Sequence, residues 1–189
     1  MVWNKRVFDI ALSIVLILLL SPLFLILALI IKMTSNGPAL YWSSRMGKNN
    51  KLFHMPKFRS MRINAPQVAT HLLAEPSAYL TPIGSFLRRT SIDEFPQLFS
   101  ILVGHLSFVG PRPALFNQHD LVELRTKRGI HVLVPGLTGW AQINGRDELP
   151  IPVKVQFDYE YQQRQSFKFD LYIIFKTVFK VVAGDGIQH

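Results

Sequence analysis

The run IALSIVLILLLSPLFLILALII, residues 10–31, is apolar except at Ser13, Ser21 and Pro22. About 20 such residues, rising 1.5 Å each, cross the hydrocarbon core of a bilayer. Lys5 and Arg6 flank one end and Lys32 the other. A cleaved signal peptide has a shorter apolar stretch and a small-residue cleavage site, and neither is evident. Residues 1–35 therefore read as a membrane anchor and 36–189 as the domain it carries. Two geometries fit the anchor. One is an ordinary spanning helix. The other is a helix broken at Ser21-Pro22 that enters and leaves by the same face. Proline removes a backbone donor and bends or breaks a helix, and the serine hydroxyl can satisfy the carbonyl it frees. Basic residues at both ends also depart from the one-sided charge bias of a spanning segment.

Outside this run the chain is basic. Lys and Arg outnumber Asp and Glu by 21 to 12, a net charge of +9. Such a balance points to an anionic partner: a phosphate-bearing ligand, an acidic lipid surface or nucleic acid. Nucleic acid fits worst, because the basic residues are spread among apolar segments rather than clustered with stacking aromatics. With no cysteine, disulfides and Cys-ligated zinc are excluded.

Local signals predict a mostly helical α+β domain. Ala39–Trp42 and Lys51–His54 read as short strands around Gly47–Asn50, and Pro56 makes the second an edge. Residues 64–80 read as a loop. Thr81-Pro82 is a helix start, with the helix running to about Arg89. A polar helix is expected over Ala114–Arg128, ended by Gly129, another over Val153–Gln165, and a third over Phe167–Val182 capped by Ser166. In the last, Lys168, Tyr172, Lys176 and Lys180 recur every four residues, opposite Leu171, Phe175, Val178 and Val182. It suits a membrane interface, or a core-packed helix with a lysine face.

The candidate chemistry centres on Asp93-Glu94. Ser91 and Glu94 have capping-box spacing, and Pro96 also allows Asp93 to be the cap, so both carboxylates are expected at a helix N-terminus. Simple capping is one reading of the pair. The neighbours supply another: Arg88 and Arg89 precede it, and Pro111 and Pro113 lock the backbone around Arg112. A guanidinium's planar fork suits phosphate. Lys57 and Arg59 put two further cations on one face of an extended strand. Acids ringed by cations suit metal-assisted phosphoryl transfer. Asn144 and Arg146, in a turn-rich loop after Pro135–Trp140, are candidates to read a base or a diphosphate. His54, His105, His119, His131 and His189 show no metal-ligand spacing. A basic membrane-surface binder without catalysis would explain the charge, but not two acids beside three arginines and two proline-locked loops.

Taken together these residues resemble the monotopic phosphoglycosyl transferases, or bacterial sugar transferases. The resemblance rests on Lys5–Asp9, Ser21-Pro22, Gly37-Pro38, Arg45–Gly47, Lys57–Met61, Leu87–Leu98, Ser107–Pro113, Pro135–Gln142 and Asn144–Arg146, from about residue 3 to 182. It implies a re-entrant membrane hairpin with both ends cytoplasmic, at the bacterial inner membrane, and interfacial amphipathic helices. It implies an Asp93-Glu94 dyad, a magnesium requirement with Asp93 among the ligands, and phosphate contacts from Arg88 and Arg112. Asp93 would attack the phosphate bearing the sugar of a UDP-sugar, releasing UMP, and polyprenol phosphate would then take the sugar phosphate. Residues 145–148 resemble members that use N-acetylated amino sugars. His105, Leu106 and Ala114 stand where the commonest pattern has aspartate, methionine and glutamate. The chain resembles the minimal catalytic unit of the family.

Overall fold

A computed structural model describes residues 3–66, 75–145 and 149–183. The architecture is the expected mostly helical α+β arrangement, with seven helices and four short strands among the described residues. Helix α1 (Trp3–Thr34) is the one described helix long and apolar enough to cross a membrane. The expected break into two helices is not seen: α1 runs through Ser21-Pro22 as one element. Proline at 22 leaves the Leu18 carbonyl without its usual donor four residues on. Ser21 Oγ donates to that carbonyl at 2.9 Å. The serine thus does what its position predicts, and the helix continues.

One stripe of α1 faces the domain along its whole length. Lys5, Asp9 and Ser13 are buried near its start, and Leu27 and Ile31 near its end. Phe8, Leu12, Leu16, Ile17, Leu20 and Phe24 pack on the main core between them. The opposite stripe, including Val15, Leu18, Leu19, Leu25, Leu29 and Met33, is exposed.

Strands β1 (Leu40–Met46) and β2 (Leu52–Phe58) form an antiparallel hairpin, longer than the sequence suggests, with Trp42 opposite Pro56. On the free side of β1, Met46 N–H donates to Ala114 O and Phe116 N–H to Ser44 O. Residues 114–116 are thereby held extended beside β1. The helix expected from Ala114 accordingly begins later, as α4 (His119–Lys127), and ends before Gly129 as expected, with φ +72° there. Likewise Thr81 does not start a helix. Its N–H and hydroxyl both donate to Ser60 O, and α2 spans Gly84–Arg89. Part of the expected 64–80 loop is a 3₁₀ turn, Pro76–Tyr79.

Helix α3 (Gln97–Val103) lies under α1, and β3 (Ser107–Val109) pairs in parallel with β4 (Gly136–Thr138). This pairing joins the two proline- and glycine-rich loops. A Cβ on Gly136 would lie 2.1 Å from Gly110 N, and one on Gly110 2.5 Å from Val134 O. Only glycine allows this approach. Helices α5 (Trp140–Ile143), α6 (Ile151–Arg164) and α7 (Phe167–Ala183) complete the fold. Ser166 Oγ accepts from Phe169 N–H at 3.2 Å, the predicted cap. Helix α7 is three-sided. Phe169, Asp170 and Ile173 enter the core, while Leu171, Phe175, Val178 and Phe179 stay exposed beside the lysine face.

Candidate active site

Asp93 and Glu94 lie in the 3₁₀ turn Ile92–Glu94, between α2 and α3. Neither of the expected capping arrangements forms. Ser91 adopts a left-handed conformation, φ +56°, and makes no side-chain cap bond, and α3 begins only at Gln97. The turn instead aims both acids at cations from three other elements. Lys57 Nζ, at the end of β2, donates to Glu94 Oε1 at 2.7 Å. Arg112 Nη2 donates to the same oxygen at 3.0 Å. Arg88, on α2, interacts electrostatically with both acids, and its Nε donates to Ser60 Oγ at 3.0 Å.

The two carboxylates are therefore unlike. Burial alone would push Glu94 up, but Arg112 and Lys57, bonded to it, hold it well below the ordinary range. Asp93, 7% exposed, makes no hydrogen bond among the described residues. Burial pushes it up to about 6; Lys57, Arg88 and Arg112 oppose the shift and the Glu94 charge adds to it. A fixed anion beside an unbound, buried carboxylate of raised pKa is a pattern of functional sites.

Arg112 is presented as the flanking prolines predict, and the loop is gripped from several sides. Lys5 Nζ donates to Val109 O at 2.9 Å, and Phe108 N–H donates to Asp9 Oδ1 at 3.2 Å. Gly136 N–H donates to Pro111 O at 3.0 Å, and Arg125 Nη1 to Arg112 O at 2.8 Å. Lys5 also pairs with Asp170 at 2.5 Å, and Arg125 with Asp158 at 2.6 Å. Sequence reasoning gave no fastening role to Asp9, which appears there only within the Lys5–Asp9 motif, and did not single out Arg125, Asp158 or Asp170. The available signal was charge inside helical segments that also carry apolar core positions, because such charges are rarely buried unless paired.

Residues 1–184 match the family model described as bacterial sugar transferase. The chain belongs to this family. It is 40% identical over 185 residues to the UDP-glucose:undecaprenyl-phosphate glucose-1-phosphate transferase of Escherichia coli, covering 93% of this chain and 39% of that one. It is 43% identical over 155 residues to an undecaprenyl-phosphate glucose phosphotransferase of Komagataeibacter xylinus, covering 77% and 29%. An uncharacterized sugar transferase of Bacillus subtilis, EpsL, is 38% identical over 184 residues, covering 97% and 90%. The chain thus spans well under half the length of the first two relatives and nearly all of the third.

Two of the residues expected to bind substrate in this sugar transferase, Arg59 and Asn144, are not brought to the dyad. Arg59 is buried and donates to the carbonyls of Ser35, Asn36 and Pro38, at 2.9, 2.5 and 2.7 Å. A cation suits the carbonyl-rich exit of a helix, so Arg59 anchors the end of α1. Asn144 Nδ2 donates to Trp140 O at 2.8 Å and closes its own short helix. Arg146 lies outside the described residues. Lys57, Arg88 and Arg112 do converge with Asp93 and Glu94. As for magnesium, no group of three His, Cys, Asp or Glu side chains is assembled among the described residues. Magnesium commonly takes one or two carboxylates and fills its sphere with water and substrate phosphates. Asp93, with Glu94 beside it, fits an ion shared with substrate in that way.

Proposed function

We propose that this chain transfers a sugar 1-phosphate from a UDP-sugar to polyprenol phosphate, through a covalent phosphosugar on Asp93. The observation that carries the reading is the division between the carboxylates: Glu94 Oε1 receives both Lys57 and Arg112, and Asp93, among three cations, has no hydrogen bond among the described residues. In the first step a carboxylate oxygen of Asp93 attacks the phosphorus bearing the sugar. The bond from that phosphorus to the bridging oxygen breaks, and UMP leaves with the electron pair. In the second, a phosphate oxygen of the lipid attacks the same phosphorus, the aspartyl bond breaks, and the carboxylate is regenerated. Carboxylate nucleophiles on phosphorus have precedent in aspartyl-phosphate enzymes. Arg112, the most exposed of the bonded groups at 32%, and Arg88 neutralise charge on the transferring phosphoryl group. Magnesium, held by Asp93 or Glu94 together with the substrate, would supply further charge neutralisation at the diphosphate.

The relatives' names support undecaprenyl phosphate and a UDP-sugar as substrates. For the sugar we propose an N-acetylated amino sugar, on residues 145–148 alone. The named relatives divide between glucose and galactose on one side and N-acetylgalactosamine on the other. The anchor we propose is monotopic, at the cytoplasmic face of the inner membrane with both ends of α1 on that side, because both ends of α1 rest on one domain.

The test is incubation with a panel of UDP-sugars and magnesium, without lipid, under rapid quench. The expected result is a burst of about one equivalent of UMP and a sugar-phosphate mass increase on Asp93. Full transfer activity with neither burst nor adduct rules out the covalent route. No transfer with any UDP-sugar overturns the function.

A further inference from the structure

Behind Arg112 stands a second arginine that makes no bond to either acid. Arg125, on α4, is 7% exposed, and Asp158, on α6, is 1% exposed. Arg125 Nε and Nη2 both donate to Asp158 Oδ2, at 2.9 and 2.6 Å, and Nη1 donates to the carbonyl of Arg112 at 2.8 Å. One planar guanidinium thus ties α6 to the peptide whose side chain reaches Glu94.

Packing alone does not fix that peptide. A cavity of about 30 Å³, lined by Pro111, Pro113, Arg125, His131 and Pro135 among others, lies against the loop. That is room for a water, so the loop has space to relax. Pro111 and Pro113 donate no backbone bonds, and the segment is held through its carbonyls. Pro111 O accepts from Gly136 N–H, Arg112 O from Arg125, and Pro113 O from Arg45 Nη1 at 3.2 Å. A buried ion pair is in itself weak evidence for stability, because desolvation offsets its attraction. Its value here lies in the third bond of the fork.

We propose that Arg125, oriented by Asp158, is a positioning residue that sets the Arg112 guanidinium against Glu94 and the reacting phosphate. The proposal rests on the transferase reading above. Arg125→Lys keeps the charge opposite Asp158 but loses the planar fork that serves two acceptors at once. Small displacements of a positioned group lower rates by up to about 100-fold. The expected loss for Arg125→Lys is about 10- to 100-fold, in kcat rather than in the KM for UDP-sugar.

The test is a cycle of Arg125→Lys, Arg112→Lys and the double variant, assayed with UDP-sugar and polyprenol phosphate in detergent. If Arg125 acts through Arg112, the double variant is no slower than Arg112→Lys alone. A double loss equal to the product of the single losses overturns the proposal, as does unchanged kcat in Arg125→Lys. Hydrogen exchange supplies a readout free of activity. Amides of residues 107–110 and of Arg112 should exchange faster in Arg125→Lys while those of β1 and β2 do not change; unaltered exchange at these positions sinks the positioning role. Absence of transfer by the unsubstituted chain would instead overturn the function, and exchange would still decide the positioning. Should Arg125→Lys not fold, Arg125→Met with Asp158→Leu removes both charges together and is expected to fold. It should show the same dependence on Arg112, and an additive loss there again refutes the idea.

Discussion

At the scale of single residues, Asp93 is costly to the fold in the ionised state that the proposed chemistry needs. Its pKa is raised from 3.8 to about 6, chiefly by burial. A carboxyl with a raised folded-state pKa favours folding fully below its unfolded pKa and loses that contribution as pH rises through the folded value. Here the loss falls between about pH 4 and 6, and two units amount to on the order of 2–3 kcal/mol. Asp93→Asn removes the ionisation. It should melt at a higher temperature than the unsubstituted protein at pH 8, and the difference should shrink toward pH 4. The same variant should lose turnover, since an amide is a poor nucleophile. An inactive but stabilised Asp93→Asn is the signature of a site carrying strain for function. Near-normal turnover would dismiss Asp93 as nucleophile. Equal melting at both pH values would dismiss the burial cost.

At the scale of elements, the buried polar groups show where the helices are fastened. Lys5 Nζ on α1 meets Asp170 Oδ2 on α7 and the Val109 carbonyl of β3, and Tyr161 OH on α6 donates to Asp170 Oδ1 at 2.8 Å. Burial, with the Asp170 charge next, pushes the Tyr161 phenol far above its usual range, so it stays a donor. Breaking a buried pair on one side strands a charge. Lys5→Met should therefore cost about 3–5 kcal/mol, and Lys5→Met with Asp170→Leu should recover much of it. Chemical unfolding in detergent measures both, and equal losses in the two would show that the pair does not hold α1 to α7. These fastenings also mark what the sequence could and could not show. Ser166, Gly129 and the apolar periodicity act within a few residues, so α4, α6 and α7 were legible, two of them nearly to their ends. Residues 114–116 and Thr81 were misjudged because partners far along the chain, Ser44, Met46 and Ser60, take their backbone groups. Lys57 and Arg59 show the same limit at the site. Their spacing says they share a strand face, but only the fold reveals that one meets Glu94 and the other the end of α1. Asp93, Glu94, Arg88 and Arg112 were legible because they sit in compact stretches of acid, arginine and proline.

At the scale of the whole molecule, the question is how a 32-residue apolar helix and the domain beside it meet a bilayer. At 1.5 Å per residue α1 is about 48 Å long, more than the roughly 30 Å of a hydrocarbon core. Its start is pinned through Lys5 and Asp9 to β3 and α7, and its end through Leu27 and Ile31 packs with Phe58 and Leu87. A helix crossing the bilayer would carry these ends to opposite sides. The domain touching both would then drag Lys57, Glu94 and Arg112 into hydrocarbon, at a cost of several kcal/mol for each charge not well paired. Immersing only the outer stripe of α1 avoids this. The exposed Phe99 and Val103 of α3, and Phe175, Val178 and Phe179 of α7, are further apolar surface for the same interface. The expected outcome is that both ends of α1 are accessible from the side on which the domain lies. The chain has no cysteine, so single substitutions report cleanly. Asn4→Cys, Thr34→Cys and, as a marker of the domain, exposed Lys127→Cys can be labelled in sealed inverted and right-side-out vesicles with an impermeant maleimide. All three should react from the cytoplasmic side. Pro22→Ala restores a donor to the Leu18 carbonyl and removes the constraint on the middle of the helix. It should shift part of the Asn4→Cys population to the opposite side while Lys127→Cys stays in place. If Asn4→Cys already reacts only from outside in the protein with Pro22, α1 spans the membrane, and the packing of both its ends on one domain does not survive in the bilayer.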